Sequence, residues 1–212
     1  MEVVLRTLVP ALLLLQLAAG QVPKLSPFSA DIEMSSTSGN RGPLDITGKI
    51  YVASGHMRIN VDNAGQQTGV ITDFAAKTVD VVMVQQHMYM EHKVEETGGR
   101  GPNMTRDLKP YDPENPCANQ SDVTCKKVGV EQVDGRTCDH WEFTGKDGKV
   151  TNVWIDQKLR FPIKTVSPDS TVALTNISEG EPDASLFQVP PGYRKMDIMN
   201  TVPQGMAAPP QQ

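Results

Sequence analysis

Asp183-Ala184-Ser185-Leu186-Phe187-Gln188-Val189-Pro190-Pro191-Gly192-Tyr193 closes a long succession of short alternating segments separated by turn residues. Phe187 can fill a core, whereas Pro190, Pro191 and Gly192 cannot continue a ladder, so Phe187 to Val189 reads as the end of a last strand. A chain built this way to its far end points to a carrier-type shell rather than an enzyme.

Working back from that stretch, nearly every segment from Phe28 onward has period two, with β-branched and aromatic residues inside and Gly, Asn, Asp or Pro between. The strand cores fall at Phe28 to Met34, Ile46 to Val52, His56 to Asp62, Gly69 to Asp73, Thr78 to Val84 and Met88 to His92. They resume at Lys127 to Val133, Thr137 to Thr144, Lys149 to Asp156, Phe161 to Val166 and Val172 to Ile177. The fold class is mainly β, an antiparallel sheet of about 10–12 strands joined by short links, with little helix.

The turns predict registers. If Asp134-Gly135, Asp147-Gly148 and Gln157-Lys158 are all two-residue turns, Val128 faces Trp141, Trp141 faces Trp154, and Trp154 faces Phe161. That gives one apolar row. A second comes from Met57, Ile59 and Val61 on one strand and from Val79, Val81 and Met83 on another, and both rows are expected to look inward.

Met1 to Arg6 is short with one basic residue, Leu8 to Ala19 is apolar, and Ala18-Ala19-Gly20 supplies small residues for cleavage. Residues 1–20 therefore read as a secretory signal, giving an exported protein, periplasmic or extracellular, with no stable membrane span after cleavage. Residues 21–27 form an N-terminal extension, 28–199 a single β domain and 200–212 a flexible tail. The Gly- and Pro-rich stretch 97–120 is a long loop with at most a short helix around Thr105 to Lys109. The net charge is −5 and no basic stripe is present, which argues against nucleic acid as a partner.

Three cysteines in an oxidising compartment give one disulfide and one thiol. The Asp134-Gly135 turn places Glu131, not Cys125, opposite Cys138, so the preferred pair is Cys117 with Cys125. The rival pair, Cys125 with Cys138, requires the strand to bend back near Gly129.

No hydrolase elbow, zinc-protease helix, C-x-x-C or phosphate-binding glycine loop occurs. Met88, Met90 and His92 share a strand face and could bind copper if His56 or Met57 joined them. Core or cavity packing is the preferred reading of these methionines. Cys138 and His140 share a face like a nucleophile and its base, yet no third group orients them, so a structural role is preferred. The expectation is no cofactor, no metal and no catalysis.

Gly48-Lys49-Ile50-Tyr51-Val52, Gly55-His56-Met57-Arg58-Ile59, Thr72-Asp73-Phe74-Ala75-Ala76-Lys77-Thr78, Trp154-Ile155-Asp156, Phe161-Pro162-Ile163-Lys164 and the terminal Phe187 to Tyr193 together resemble the LolA/LolB-like periplasmic lipoprotein-carrier superfamily. Within it, the chain is similar to an uncharacterised family of exported bacterial domains. The resemblance implies a strongly curved antiparallel sheet, an unclosed half-barrel whose concave apolar face holds acyl chains. It departs from the carriers in three places. Gln21 to Pro27 is too short for their first helix, the region of their lid helices is the Gly- and Pro-rich 97–120, and their lid-latching Arg corresponds to Ala53.

The functional expectation is a non-enzymatic protein that sequesters a lipid or other apolar ligand, an acylated protein being one candidate partner. Its apolar face is Met57, Ile59, Val61, Val79, Val81, Met83, Met88, Met90, Val128, Trp141, Trp154 and Phe161. The alternative is an envelope sensor or scaffold with a filled core that acts through its surface.

Overall fold

The structure, a computed structural model, describes residues 25–37, 43–93, 115–117 and 122–196. The leader 1–20, the proposed helix at 105–109, the tail 200–212, and most of both the 21–27 extension and the 97–120 loop lie outside the described residues.

Twelve strands form one sheet: β1 (Phe28–Ser36), β2 (Leu44–Ala53), β3 (His56–Asn63), β4 (Gln66–Asp73), β5 (Thr78–Met83), β6 (Met88–Lys93), β7 (Val123–Val133), β8 (Arg136–Gly145), β9 (Val150–Asp156), β10 (Phe161–Val166), β11 (Ser170–Glu179) and β12 (Arg194–Lys195). Their spatial order is β12-β6-β5-β4-β3-β2-β1-β11-β10-β9-β8-β7, an unclosed, curved half-barrel. Every pairing is antiparallel except β12 with β6, which is parallel. Two meanders, β1 to β6 and β7 to β11, join where β1 pairs with β11. The first strand therefore lies in the middle of the sheet.

Turn chemistry explains which predicted registers form. Asp134 and Gly135 both have positive φ, and Val133 pairs with Arg136, the two-residue turn expected. Glu131 accordingly faces Cys138. At the next turn, Gly148 N–H donates to Gly145 O at 2.9 Å, Gly145 N–H donates to Lys149 O at 3.0 Å, and Gly148 has φ 76°. This is a three-residue loop, and the extra residue shifts β9 by one. Trp141 faces Val153, and Trp154 faces His140. A one-residue slip inverts the face, so the two tryptophans project from opposite sides of β8 and β9.

The remaining members of that predicted row are also displaced. A bulge at Val128 puts Lys127 opposite Trp141 and leaves Val128 46% exposed. After Asp156 the chain makes a longer turn in which Arg160 N–H donates to Asp156 O at 2.8 Å with Arg160 at φ 55°. Phe161 then faces Asp156, and Lys164 faces Trp154. The predicted row Val128-Trp141-Trp154-Phe161 does not form.

The last predicted strand is also absent. Asp183 accepts a hydrogen bond from Ser185 N–H at 2.8 Å and caps a 3-10 turn over Ala184–Phe187. The carboxylate captures the amide that a ladder would need. The chain reaches its true last strand only at Arg194, past Pro190, Pro191 and Gly192.

The main core gathers Phe28, Ile32, Ile50, Val52, Met57 and Ile163, all under 7% exposed, together with the buried Leu159 and Leu174. Phe28 and Phe161 meet edge to face at 5.2 Å between ring centroids. Beside this core, buried Asp156 accepts from Lys158 N–H at 2.8 Å, Leu159 N–H at 2.7 Å and Arg136 Nε at 2.5 Å. Arg136 also reaches Glu179 Oε1 at 3.0 Å, so one ionic group ties β8, the β9–β10 turn and β11 together.

Candidate functional site

Strand alternation and uninterrupted registers from β1 to β6 bring one set of apolar side chains onto a common face. Across the strands, the first row is Phe28, Val52, Met57, Thr72, Val79 and His92. The second is Ala30, Ile50, Ile59, Val70, Val81 and Met90. The third is Ile32, Gly48, Val61, Thr68, Met83 and Met88. Predicted residues Met57, Ile59, Val61, Val79, Val81, Met83, Met88 and Met90 all lie here, with β4 inserted between the two predicted strands.

Burial along this face is graded. The first row is buried from Phe28 through Val79, at 0–4% exposure, while its last member, His92, is partly exposed. In the second row Ile59, Val81 and Met90 are partly exposed, and in the third only Ile32 is buried. The face is a floor sealed at the Phe28 end and open toward Val61, Met83 and Met88.

Gly48 shapes that floor. An ideal Cβ there would stand 2.0 Å from Asn60 O and 3.1 Å from Val61 Cα, so the backbones of β2 and β3 close over the position that a side chain would take.

The opposite face of the same strands is mostly polar on β1 to β3, buries Ile71 and Val82 on β4 and β5, and carries a cleft of about 650 Å³. Its lining includes Asp31, Lys49, Arg58, Asn60, Asp62 and Tyr193; of the predicted apolar residues only Val61 touches it. Lys49 Nζ meets Asp31 Oδ1 at 2.5 Å and Asn176 Nδ2 donates to Asp31 Oδ2 at 2.8 Å, which together hold the Asp31 carboxyl below its usual range. Arg58 donates from Nε to Asn60 Oδ1 at 2.7 Å and from Nη1 to Leu186 O at 2.8 Å, anchoring the C-terminal turn across this face. Phe187 packs against the His56 ring at 5.6 Å and does not join the main core. Tyr193 sits beside His87 at 5.3 Å.

Trp154 does not join the predicted row; it packs against the main core and takes part in a polar cluster. Its ring stacks on buried His140 at 4.4 Å with planes 10° apart, and Lys164 Nζ lies 5.0 Å from its centroid. Glu131 ties the cluster together, accepting from Trp154 Nε1 at 2.7 Å and pairing with His140 Nδ1 at 2.8 Å. These contacts, the indole bond foremost, lower the Glu131 pKa. The other His140 nitrogen meets Asn152 Oδ1 at 2.8 Å.

This clustering bears on the catalytic pair weighed from sequence. Cys138 is fully buried, and its thiol is pushed up to about 11, chiefly by desolvation. His140 is held by Glu131 and Asn152. A thiol so raised is not an activated nucleophile at neutral pH.

Cys117 and Cys125 form the preferred disulfide, with Cα atoms 5.9 Å apart. Met88, Met90 and His92 do share a face, but His56, one register step from Met57, projects from the other. No group of three or more His, Cys, Asp or Glu side chains with metal-holding geometry occurs among the described residues. Among them no helix is long and apolar enough to cross a membrane.

Sequence reasoning missed Phe28, Ile32, Ile50, Val52 and Val70 as parts of the apolar face, although the alternation in their strands carries the signal. It also missed the placement of Arg58, which as one basic residue in an alternating strand looks like an ordinary solvated position.

The architecture is thus an unclosed half-barrel with an apolar floor on one side and a cleft lined mostly by polar residues on the other. Over residues 28–160 the chain matches the family described as Domain of unknown function (DUF4412), and it belongs to that family. No curated protein matches it. Its fold is similar to that of an uncharacterised conserved protein from Thermus thermophilus, with 8% identity, 82% of this chain and 91% of that chain covered, and a TM-score of 0.54. MucB in the MucA/MucB complex of Pseudomonas aeruginosa is similar at 15% identity and a TM-score of 0.51, with 78% of this chain covering 56% of that one. A LolA superfamily protein from Nitrosomonas europaea, 8% identical with 80% of this chain and 94% of that chain covered, aligns at a TM-score of 0.39, too low to carry an argument. Identities this low speak to the fold alone. The family match agrees with the resemblance read from the sequence to an uncharacterised family.

Proposed function

We propose that this protein is an exported, non-enzymatic binding protein that takes up a lipid or another apolar ligand on the face running from Phe28 to Met88. The observation that carries the reading is the graded floor. Six strands present one continuous apolar surface, sealed at one end and increasingly exposed at Ile59, Val61, Val81, Met83, Met88 and Met90. Open apolar surface of this extent costs solubility unless something covers it. Each ligand CH₂ it desolvates contributes about 0.8 kcal/mol, so part of an acyl chain is enough for useful affinity. Methionines at the open end suit a ligand of variable shape, because the thioether side chain repacks easily. Phe161 packs on Phe28 at the sealed end, whereas Val128, Trp141 and Trp154 lie on β7 to β9, outside the six strands of this site.

Native mass spectrometry with organic extraction, on full-length protein from a detergent-free exported preparation, tests the reading. A co-purified lipid that is lost in Met83→Glu or Val81→Glu, with the circular dichroism unchanged, is the expected outcome. Protein that carries no lipid and takes up neither added fatty acid nor phospholipid refutes it. A surface-acting sensor or scaffold is the second reading, favoured by the position of the 650 Å³ cleft on the polar rather than the apolar face.

A further inference from the structure

Among the described residues, the polar cleft contains one cation whose charge nothing nearby balances. Arg58 is half-buried, and burial lowers its pKa. Among the described residues no carboxylate lies within ion-pair distance of it. Its two bonded partners, the Leu186 carbonyl and the Asn60 amide oxygen, are both neutral. A guanidinium has five N–H donors, and these two contacts use two of them. The Nη2 group has no acceptor among the described residues and stands over Gly69, where even a bare Cβ would come within 3.4 Å of it. Removal from water without a counter-charge is costly for a side chain that exists to orient planar oxyanions.

The acidic residues around the cleft do not cancel this charge. Asp31 is taken by Lys49 and Asn176. Asp62 lies four residues along the same strand, makes no ion pair with Arg58, and accepts from Gly65 N–H at 2.8 Å. Glu33 shares the Asp62 end of the sheet, because both face Thr47 across its two neighbouring strands.

We propose that Arg58 is the receptor for an oxyanion, a carboxylate or phosphate group, on a ligand seated in the cleft, with Asn60 and the side-chain-free position at Gly69 fixing the orientation of the guanidinium. Arg58 and Asn60 project from the face opposite the apolar floor, although Ile32, Gly48, Val61 and Thr68 of that floor border the cleft. The Nη2 group keeps two N–H donors for oxyanion oxygens, and hydrogen bonds between a charged donor and a charged acceptor are the strong ones. A cleft of about 650 Å³ lies within the usual range for a small ligand.

The discriminating variant is Asn60→Asp. It is isosteric, keeps the 2.7 Å contact to Arg58 Nε, and supplies the missing counter-charge from inside the protein. Gln67→Glu is the control, adding the same charge to the cleft lining away from that contact. Full-length protein is titrated by calorimetry with inorganic phosphate, acetate and dodecanoate at low salt.

Saturable binding of at least one probe is expected, weakened about tenfold or more by Asn60→Asp and much less by Gln67→Glu, with the urea midpoint of Asn60→Asp no lower than that of the parent. Binding of phosphate or acetate marks a site for free oxyanions, and binding of dodecanoate alone marks the head group of an amphiphile. Absence of binding for all three probes, or affinity that Asn60→Asp leaves unchanged, overturns the proposal.

Discussion

Replacing Gly48 with alanine tests the curvature of the sheet with a single methyl group. The ideal Cβ would lie 2.0 Å from Asn60 O, 3.0 Å from Asn60 C and 3.1 Å from Val61 Cα. Real Cβ atoms essentially never come closer than 3.0 Å to another heavy atom, so β2 and β3 must part locally by about 1 Å or more. The obstacle is backbone, and no rotamer change relieves it. Parting the strands weakens one or two ladder bonds worth about 0.5–1.5 kcal/mol each. It also loosens the packing of Ile50 and Met57 beside them, overpacking that typically costs about 1–3 kcal/mol. Against this stands the gain from removing a flexible residue from the unfolded chain, about 0.4–1 kcal/mol.

The net expectation is a loss of about 2–3 kcal/mol in urea unfolding, read as a lower midpoint at unchanged slope. Gly129→Ala is the internal control. A Cβ there meets nothing within 4 Å and the backbone φ is not left-handed, so the same substitution should be neutral or slightly stabilising. Equal stability of the two variants would refute the close approach of β2 and β3, and with it the shape assigned to the apolar floor.

Three other perturbations address the polar groups. Asp156→Ala should cost about 3–5 kcal/mol in thermal or urea unfolding because it strands Arg136 and two turn amides, and Asp156→Asn about half of that, since an amide oxygen still accepts from Lys158 and Leu159. Glu131 has a folded pKa below its ordinary 4.5, so its contribution is present above that value and fades as the pH falls through the lowered one. The melting temperatures of wild type and Glu131→Gln should therefore differ near neutral pH and converge in acid, and a gap that persists at pH 2 would contradict the assignment. Cys138, buried and raised to about 11, should resist iodoacetamide in the native state at pH 8 and react fully in urea; rapid native alkylation would mean that the thiol is accessible.

Much of the fold was legible because β1 to β6 are linked by short turns and alternate without interruption. Once Asn63 faces Gln66 across Ala64-Gly65 and Ala53 faces His56 across Ser54-Gly55, every side chain on those strands is assigned to a face. That is why Met57, Ile59 and Val61 could be matched with Val79, Val81 and Met83 from sequence. The same rule failed at Asp147-Gly148, where one extra loop residue moved Trp154 from the expected partner Trp141 to His140. At the C-terminus the apolar character of Phe187 said less than the hydrogen bond from Ser185 to Asp183.

The sequence by itself determined a mainly β chain, most strand positions and part of the apolar face of the first meander, because period-two patterning and turn residues act over a few positions, while it left two disulfide pairings of Cys125 open. Only the tertiary structure decided that β1 sits against β11, that Trp154 joins His140 and Glu131, and that Arg58 lies in a cleft with no ion-pair partner among the described residues. Those outcomes depend on bulges, on loop lengths differing by one residue, and on contacts such as Arg58 with Leu186 across 128 positions, where the local pattern holds no information about the partner.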